Sequence, residues 1–247
     1  MALLWTTKKG NTQYEVRTAG DSIRLYTNRA FHSQYNPKHV FTGAMWDLLS
    51  IPALFYAINL QRKPNSVLML GVGGGTAIHQ LQKLVTPKII IGIEYDPVHI
   101  KIAQRFFKLN YANLTLFQAD AFDWVKHSRK HFDIIVDDLF VDAPDDPERP
   151  FLVNKLWMDR LHGRLSRKGL IIQNHLSTKA AMAVAQQYKT QYASGLLLST
   201  PHFANAILVL CKLKIDAKKS RPDVVKLIEK HRSSRSPKPR FSVKQIF

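Results

Sequence analysis

Cysteine is nearly missing. Cys211 is the one cysteine in 247 residues, so no disulfide forms within the chain, and a reducing compartment suits it. Long apolar runs are missing too. No stretch approaches the roughly 20 residues that a membrane-spanning helix needs. The apolar patch Ala2–Trp5 is shorter than a signal-peptide core, and charge at Lys8 and Lys9 follows it instead of preceding it. The expectation is a soluble, cytoplasmic protein with no membrane partner. Acids are few: 18 Asp/Glu stand against 36 Lys/Arg, for a net charge of +18. That balance permits attraction to nucleic acid or other polyanions. The excess is uneven, because Cys211–Phe247 holds 12 Lys/Arg and 3 Asp/Glu, which is half of it. Internal repeats are absent.

What the chain has is one stretch around which the rest is ordered, Ser66-Val-Leu-Met-Leu-Gly71-Val-Gly-Gly-Gly75-Thr76. A short apolar run ends in four glycines within five residues, and a helical pattern starts at Thr76. This reads as strand, turn, helix. Backbone without Cβ lets a ligand approach closely, and the free N–H groups of a new helix favour polar or anionic groups. No Gly-Lys-Ser/Thr follows the glycines, so a P-loop is not supported.

From there strands and helices alternate. Strands are expected at Val67–Leu70, Ile89–Ile93, Leu114–Phe117, Phe132–Val136 and Leu170–Gln173, and helices at Thr76–Val85, Pro97–Phe107, Ala121–His127, Leu152–Leu161 and Thr178–Gln191. Leu196–Leu198 and Ala206–Leu210 close as a hairpin. Val40–Leu60 is an apolar helical segment broken near Pro52. Apolar strands alternating with helices predict an α/β fold: a mostly parallel, seven-stranded Rossmann-like sheet covered on both faces, preceded by a small β-hairpin. Three regions follow: an N-terminal hairpin segment over 1–36, the Rossmann-like domain over 37–212, and a basic, partly disordered tail over 213–247 with a helix near Asp223–His231.

Ligands on such sheets sit at the carboxyl ends of the strands, so the residues there are the candidates. Glu94, about 20 residues past the glycines, is placed to accept hydrogen bonds from two ribose hydroxyls. Asp96 precedes Pro97 and equally suits a helix N-cap. Asp120 can meet an adenine amino group, cap the helix at Ala121, or do both. Asp137 and Asp138 end the fourth strand, where a carboxylate can bind an ammonium or act as a general base. Gln173, Asn174 and His175 follow the fifth. Acids after the second and third strands favour an adenosine ligand. The glycines themselves suit NAD as well as S-adenosylmethionine.

Together, Val67-Leu-Met-Leu-Gly-Val-Gly-Gly-Gly, Gly92-Ile-Glu-Tyr-Asp-Pro and Phe132-Asp-Ile-Ile-Val-Asp-Asp resemble spermidine synthase and its relatives. These are aminopropyltransferases of polyamine biosynthesis built on the class I S-adenosylmethionine-dependent methyltransferase fold, and the likeness runs from about residue 14 to 210. It implies that Gly71, Gly73 and Gly75 cradle the donor, that Glu94 holds the ribose, and that Asp120 with the Ala121 backbone meets the adenine. It makes Asp137 the catalytic carboxylate and places Asp138 and Gln173 at the acceptor. The co-substrate would be S-adenosylmethionine or its decarboxylated form, with no metal; the acceptor a small amine; the assembly a homodimer.

The chain departs from the family pattern at three points. Gly74 stands where the family keeps an acid in the glycine turn, Phe140 stands where it keeps a second acid, and the tyrosine expected near Phe41 or Thr42 is absent. A diamine needs carboxylates at both ends to offset desolvation of two ammonium groups. The acids in Asp142-Ala-Pro-Asp145-Asp146-Pro-Glu148 are one partial compensation. Methyl and aminopropyl transfer both stay open. So do a nucleic-acid methyltransferase that uses the basic tail for weak phosphate contact, a non-catalytic binding protein on a degenerate transferase fold, and, most distantly, an NAD-dependent dehydrogenase using His175.

Overall fold

The computed structural model describes residues 1–140, 149 and 153–247. Its first unit is a four-stranded antiparallel meander: β1 (Ala2–Lys9), β2 (Thr12–Ala19), β3 (Ser22–Thr27) and β4 (Ala30–Tyr35). The sequence reading anticipated two strands here. β1 escaped it because its side chains stay largely exposed and carry little alternation; backbone pairing with β2 holds it. Helices α1 (Trp46–Ser50) and α2 (Pro52–Leu60) follow, and Pro52 opens α2 at its first turn.

The main sheet is built by β5 (Ser66–Leu70), α3 (Thr76–Leu84), β6 (Ile89–Glu94), α4 (Pro97–Arg105), β7 (Leu114–Gln118), α5 (Ala121–His127), β8 (Phe132–Asp137), α6 (Lys155–Gly163), β9 (Leu165–His175), α7 (Thr178–Tyr188), β10 (Ser194–Ser199), β11 (Ala206–Cys211), α8 (Ala217–His231) and β12 (Ser242–Gln245). Strand order is β12-β10-β11-β9-β8-β5-β6-β7. The five strands from β7 to β9 run parallel, and β11, β10 and β12 pair antiparallel. This is the expected α/β sheet with an eighth strand, β12, added at its antiparallel edge. The chain turns outward in both directions from β5, so its carboxyl end is the topological switch point.

Strand alternation sorts the core into two layers. Val67, Met69, Ile134, Val136 and Ile172 pack on the face covered by α1, α2, α3 and α8. Leu68, Leu70, Ile135 and Ile171 pack on the opposite face with Trp157 and Met158 of α6 and Ala181 of α7. This division decides where the acids of β8 point.

Beyond Lys212, where composition suggested a partly disordered extension, the chain forms α8 and β12. Val224 and Ile228 are buried in the core, and Asn59 Nδ2 donates to Ser220 Oγ at 2.9 Å, tying α8 to α2. β12 pairs with β10 from Leu196↔Gln245 to Ser199↔Ser242. The helix was underestimated because Pro222 sits in its first two turns and seven of its 15 residues are charged; one apolar stripe suffices to dock it. Ending the chain after Lys212 is therefore expected to cost on the order of 3–6 kcal/mol, from two buried aliphatic side chains at roughly 1.5–3 kcal/mol each. A lower urea midpoint for the truncated protein checks this, and an unchanged midpoint contradicts it.

Candidate active site

The glycine turn joins β5 to α3. Gly71, Gly73 and Gly75 take φ of +81°, +54° and +84°, a region L side chains rarely enter. At Gly71 a Cβ would stand 2.3 Å from the Asp138 carbonyl oxygen, so only glycine lets the turn lie against the end of β8. The turn's N–H groups are already used. Gly71 N–H donates to the Ile93 carbonyl, those of Val72 (2.9 Å) and Gly73 (2.8 Å) to Glu94 Oε2, that of Gly74 to Ser33 Oγ at 2.7 Å, and that of Gly75 to the Val72 carbonyl. The turn offers a ligand shape and a Cβ-free surface, not a ring of free donors.

Glu94 is what organises it. Oε2 accepts the two turn N–H groups and Oε1 accepts the Asp96 N–H at 2.9 Å, with His99 Nδ1 3.8 Å away. Burial alone would push this carboxyl up, but His99 and the backbone donors outweigh it and pull it down to about 2. A carboxylate has about four acceptor positions, and the three backbone donors take three of them. Asp96 caps α4 by accepting from Val98 N–H at 2.7 Å, and its other oxygen accepts from Tyr14 Oη at 2.6 Å. Asp120 is exposed and caps α5 through the Asp123 N–H; Ala121 is buried at the first position of that helix.

The N-terminal sheet braces this side of the site. Ser33 of β4 holds the Gly74 N–H, and Thr76 Oγ1 both accepts from the Gln34 N–H and donates to the Gln34 carbonyl, each at 3.0 Å. A side chain at position 74 has no room: its Cβ would lie 2.7 Å from the Phe107 ring and 2.8 Å from Ser33 Cβ. The missing acid is thus tied to how β4 and Phe107 pack on the turn. Phe41 lies in the core, and the Thr42 hydroxyl donates to Asp47.

The two acids of β8 part company. Asp137 is wholly buried on the α6 face. Arg149 Nη2 donates to both its oxygens (2.7 and 2.9 Å), and Trp157 Nε1 and Gln173 Nε2 donate at 2.8 Å each. Burial would raise its pKa, but the Arg149 charge and these donors win and hold the carboxyl below its usual range. Gln173 is fully buried behind it. Asp138 belongs to the other face; its backbone carbonyl lies against Gly71, and its carboxylate accepts from Asn174 Nδ2 at 2.7 Å. Here burial dominates, helped by the neighbouring Asp137 charge and opposed by Asn174, Arg149 and His32, and the carboxyl rises to about 6. His175 is buried, and desolvation pushes it down to about 4. The acidic stretch 142–148 lies outside the described residues.

Sequence reasoning named Asp137, Asp138 and Gln173 but missed Arg149, Trp157 and Ser33. The strand period was the available signal for the opposite facing of the two acids. Nothing local marks Arg149 or Ser33.

Over residues 51–213 the chain matches the family described as the spermine/spermidine synthase domain. It belongs to the spermine/spermidine synthase family. The polyamine aminopropyltransferase of Sulfurisphaera tokodaii is 26% identical over 116 residues, covering 44% of this chain and 38% of that protein, so the match spans well under half of that relative. Among solved structures, a probable spermidine synthase from Corynebacterium glutamicum superposes with a TM-score of 0.71 at 14% identity, covering 92% of this chain and 87% of its own. A spermidine synthase in complex with the transition-state analogue AdoDATO gives 0.69 at 14% identity, covering 91% and 78%. At such identities these structures establish the shared fold.

Proposed function

We propose that this family member transfers a group from an adenosyl sulfonium, S-adenosylmethionine or its decarboxylated form, to an amine, with Asp138 as the residue that takes the amine's proton. The observation that carries this is the meeting, at one strand end, of the glycine turn with the backbone of Asp138, a half-buried residue whose carboxyl is raised to about 6. Such a group is ionised at neutral pH and a better proton acceptor than an ordinary aspartate. Asp137, occupied by four donor contacts, positions Trp157, Gln173 and Arg149 instead.

In this reading the donor lies along Gly71, Gly73 and Gly75, its ribose on the remaining Glu94 acceptor position and its adenine near Asp120 and the Ala121 backbone. The amine lone pair attacks the carbon next to the sulfonium, the carbon–sulfur bond breaks, and the electron pair stays on sulfur, leaving a neutral thioether. The new ammonium gives its proton to Asp138. Holding the two reactants in line supplies most of the rate. The AdoDATO complex of a fold relative supports the donor class.

Calorimetric titration with both sulfonium compounds tests this. Saturable binding of at least one is expected, and transfer of its group to an amine should follow by mass spectrometry. No binding of either compound overturns the proposal.

A further inference from the structure

Half of the net charge lies beyond Leu210, in the segment that forms α8 and β12. We infer that the groove between these two elements binds single-stranded nucleic acid by its phosphate backbone. α8 runs back along β12. At one end Ala217 N–H donates to Gln245 Oε1 at 3.1 Å, and at the other Lys238 Nζ pairs with Glu229 at 2.9 Å. Two adjoining hollows of about 580 and 300 Å³ lie between these ends and share Arg221 and Ser242. From Lys218 to Glu229 the helix wall is roughly 16 Å long at about 1.5 Å per residue, which is room for several nucleotides.

Charge and shape both suit a polyanionic chain. Lys218 and Arg221 line the helix wall and Arg240 lies across from them. All three are exposed, with no hydrogen bond or ion pair to a described residue. The acid that lines the groove, Glu229, is held by Arg232 at 3.0 Å and Lys238 at 2.9 Å, so it repels a phosphate little. Neighbouring elements pack roughly 10 Å apart axis to axis. The space between their side chains therefore takes one extended chain and not a duplex, and a bilayer would reach only the rims. The half-buried Phe241 ring lines the same groove. A row of cations beside an aromatic ring is what a single strand uses, phosphates on the first and bases on the second. An acidic peptide or a bare phosphate polymer gains nothing specific from the ring. β12 stands four strands from β8, about 19 Å at ~4.8 Å per strand, so the groove is a second site apart from the glycine turn.

Fluorescence anisotropy of the full chain with a labelled oligouridylate of about 12 nucleotides tests this. Saturable binding at low salt is expected, with log K falling as log salt rises. Lys218→Gln, Arg221→Gln and Arg240→Gln together should weaken it at least tenfold at ~0.1 M salt and flatten the slope by about 2, from roughly 0.7 per phosphate contact. Lys126→Gln, Arg129→Gln and Lys130→Gln remove the same charge near the end of α5, and should change affinity less than threefold, because salt screens charges more than about 10 Å away. All six side chains are exposed, so both variants should keep wild-type circular dichroism. Equal losses in the two variants, or no saturable binding by the wild type, overturn the groove. Polyphosphate or polyglutamate that displaces the probe as well as unlabelled oligouridylate, at equal charge, overturns nucleic acid as the occupant. None of these readouts uses transfer activity, so the proposed function is decided separately.

Discussion

Asp138→Asn is expected to lower the transfer rate at least 100-fold at pH 8 and, at the same pH, to raise the melting temperature. The first effect follows from losing a positioned proton acceptor, worth roughly 10²–10⁴ in rate. The second follows from linkage. Burial lifts the Asp138 carboxyl from 3.8 to about 6, so the folded protein holds this proton more tightly than the unfolded chain does. Stability from this group is complete below pH 3.8 and is lost as the pH rises through 6. Above that, keeping the charge costs on the order of 2–3 kcal/mol at about 1.4 kcal/mol per pKa unit. Asparagine removes the charge and can still accept from Asn174. At roughly 2–4 °C per kcal/mol for a chain of this size, the gain is about 4–12 °C. Calorimetry should find the difference from wild type largest at pH 8 and closing near pH 4, while wild-type kcat/KM climbs to a plateau with a midpoint near 6. A variant that loses both activity and stability at pH 8 would contradict this reading of Asp138.

The same pair of acids shows how far the sequence could be read. Apolar runs, the glycine cluster and Pro97 are enough to lay out β5 to β11 and to place Glu94 at the end of β6, because each depends on local pattern. Which of Asp137 and Asp138 faces the turn is also written there: the two-residue period of Phe132-Asp-Ile-Ile-Val-Asp puts Asp137 on the Ile135 face, beneath α6. The motif likeness points to Asp137 and the period sets Asp138 on the other face, so the two readings part at the acid that meets the amine. Arg149 is of another kind. It stands beside acids and prolines with no periodicity, and its pairing with Asp137 is long-range geometry. Ser33 is hidden in the same way, as one hydroxyl on a strand whose docking onto Gly74 no local pattern specifies. β12 was missed because Ser242–Gln245 is short and half polar, and pairing with β10 alone makes it a strand.

Asp137→Ala is the change expected to damage the fold most. It strands the Arg149 charge and leaves Trp157 Nε1 and Gln173 Nε2 as buried donors without an acceptor. Removing one partner of a buried ion pair costs about 3–5 kcal/mol, because the remaining charge stays out of water uncompensated. That cost can be separated from catalysis. If the loss comes from the orphaned guanidinium, then Asp137→Ala combined with Arg149→Met, which removes both charges, should recover more than half of it, measured as the urea midpoint of the double variant against each single one. Removing only Arg149 is the milder lesion, since Asp137 keeps two donors. The transfer rate adds the deciding contrast: under conditions where Asp137→Ala is still folded, it should keep far more activity than Asp138→Asn. The opposite order, with Asp137→Ala inactive at a wild-type urea midpoint and Asp138→Asn active, would move the proton acceptor back to Asp137. It would then require Arg149 to leave that carboxylate during turnover.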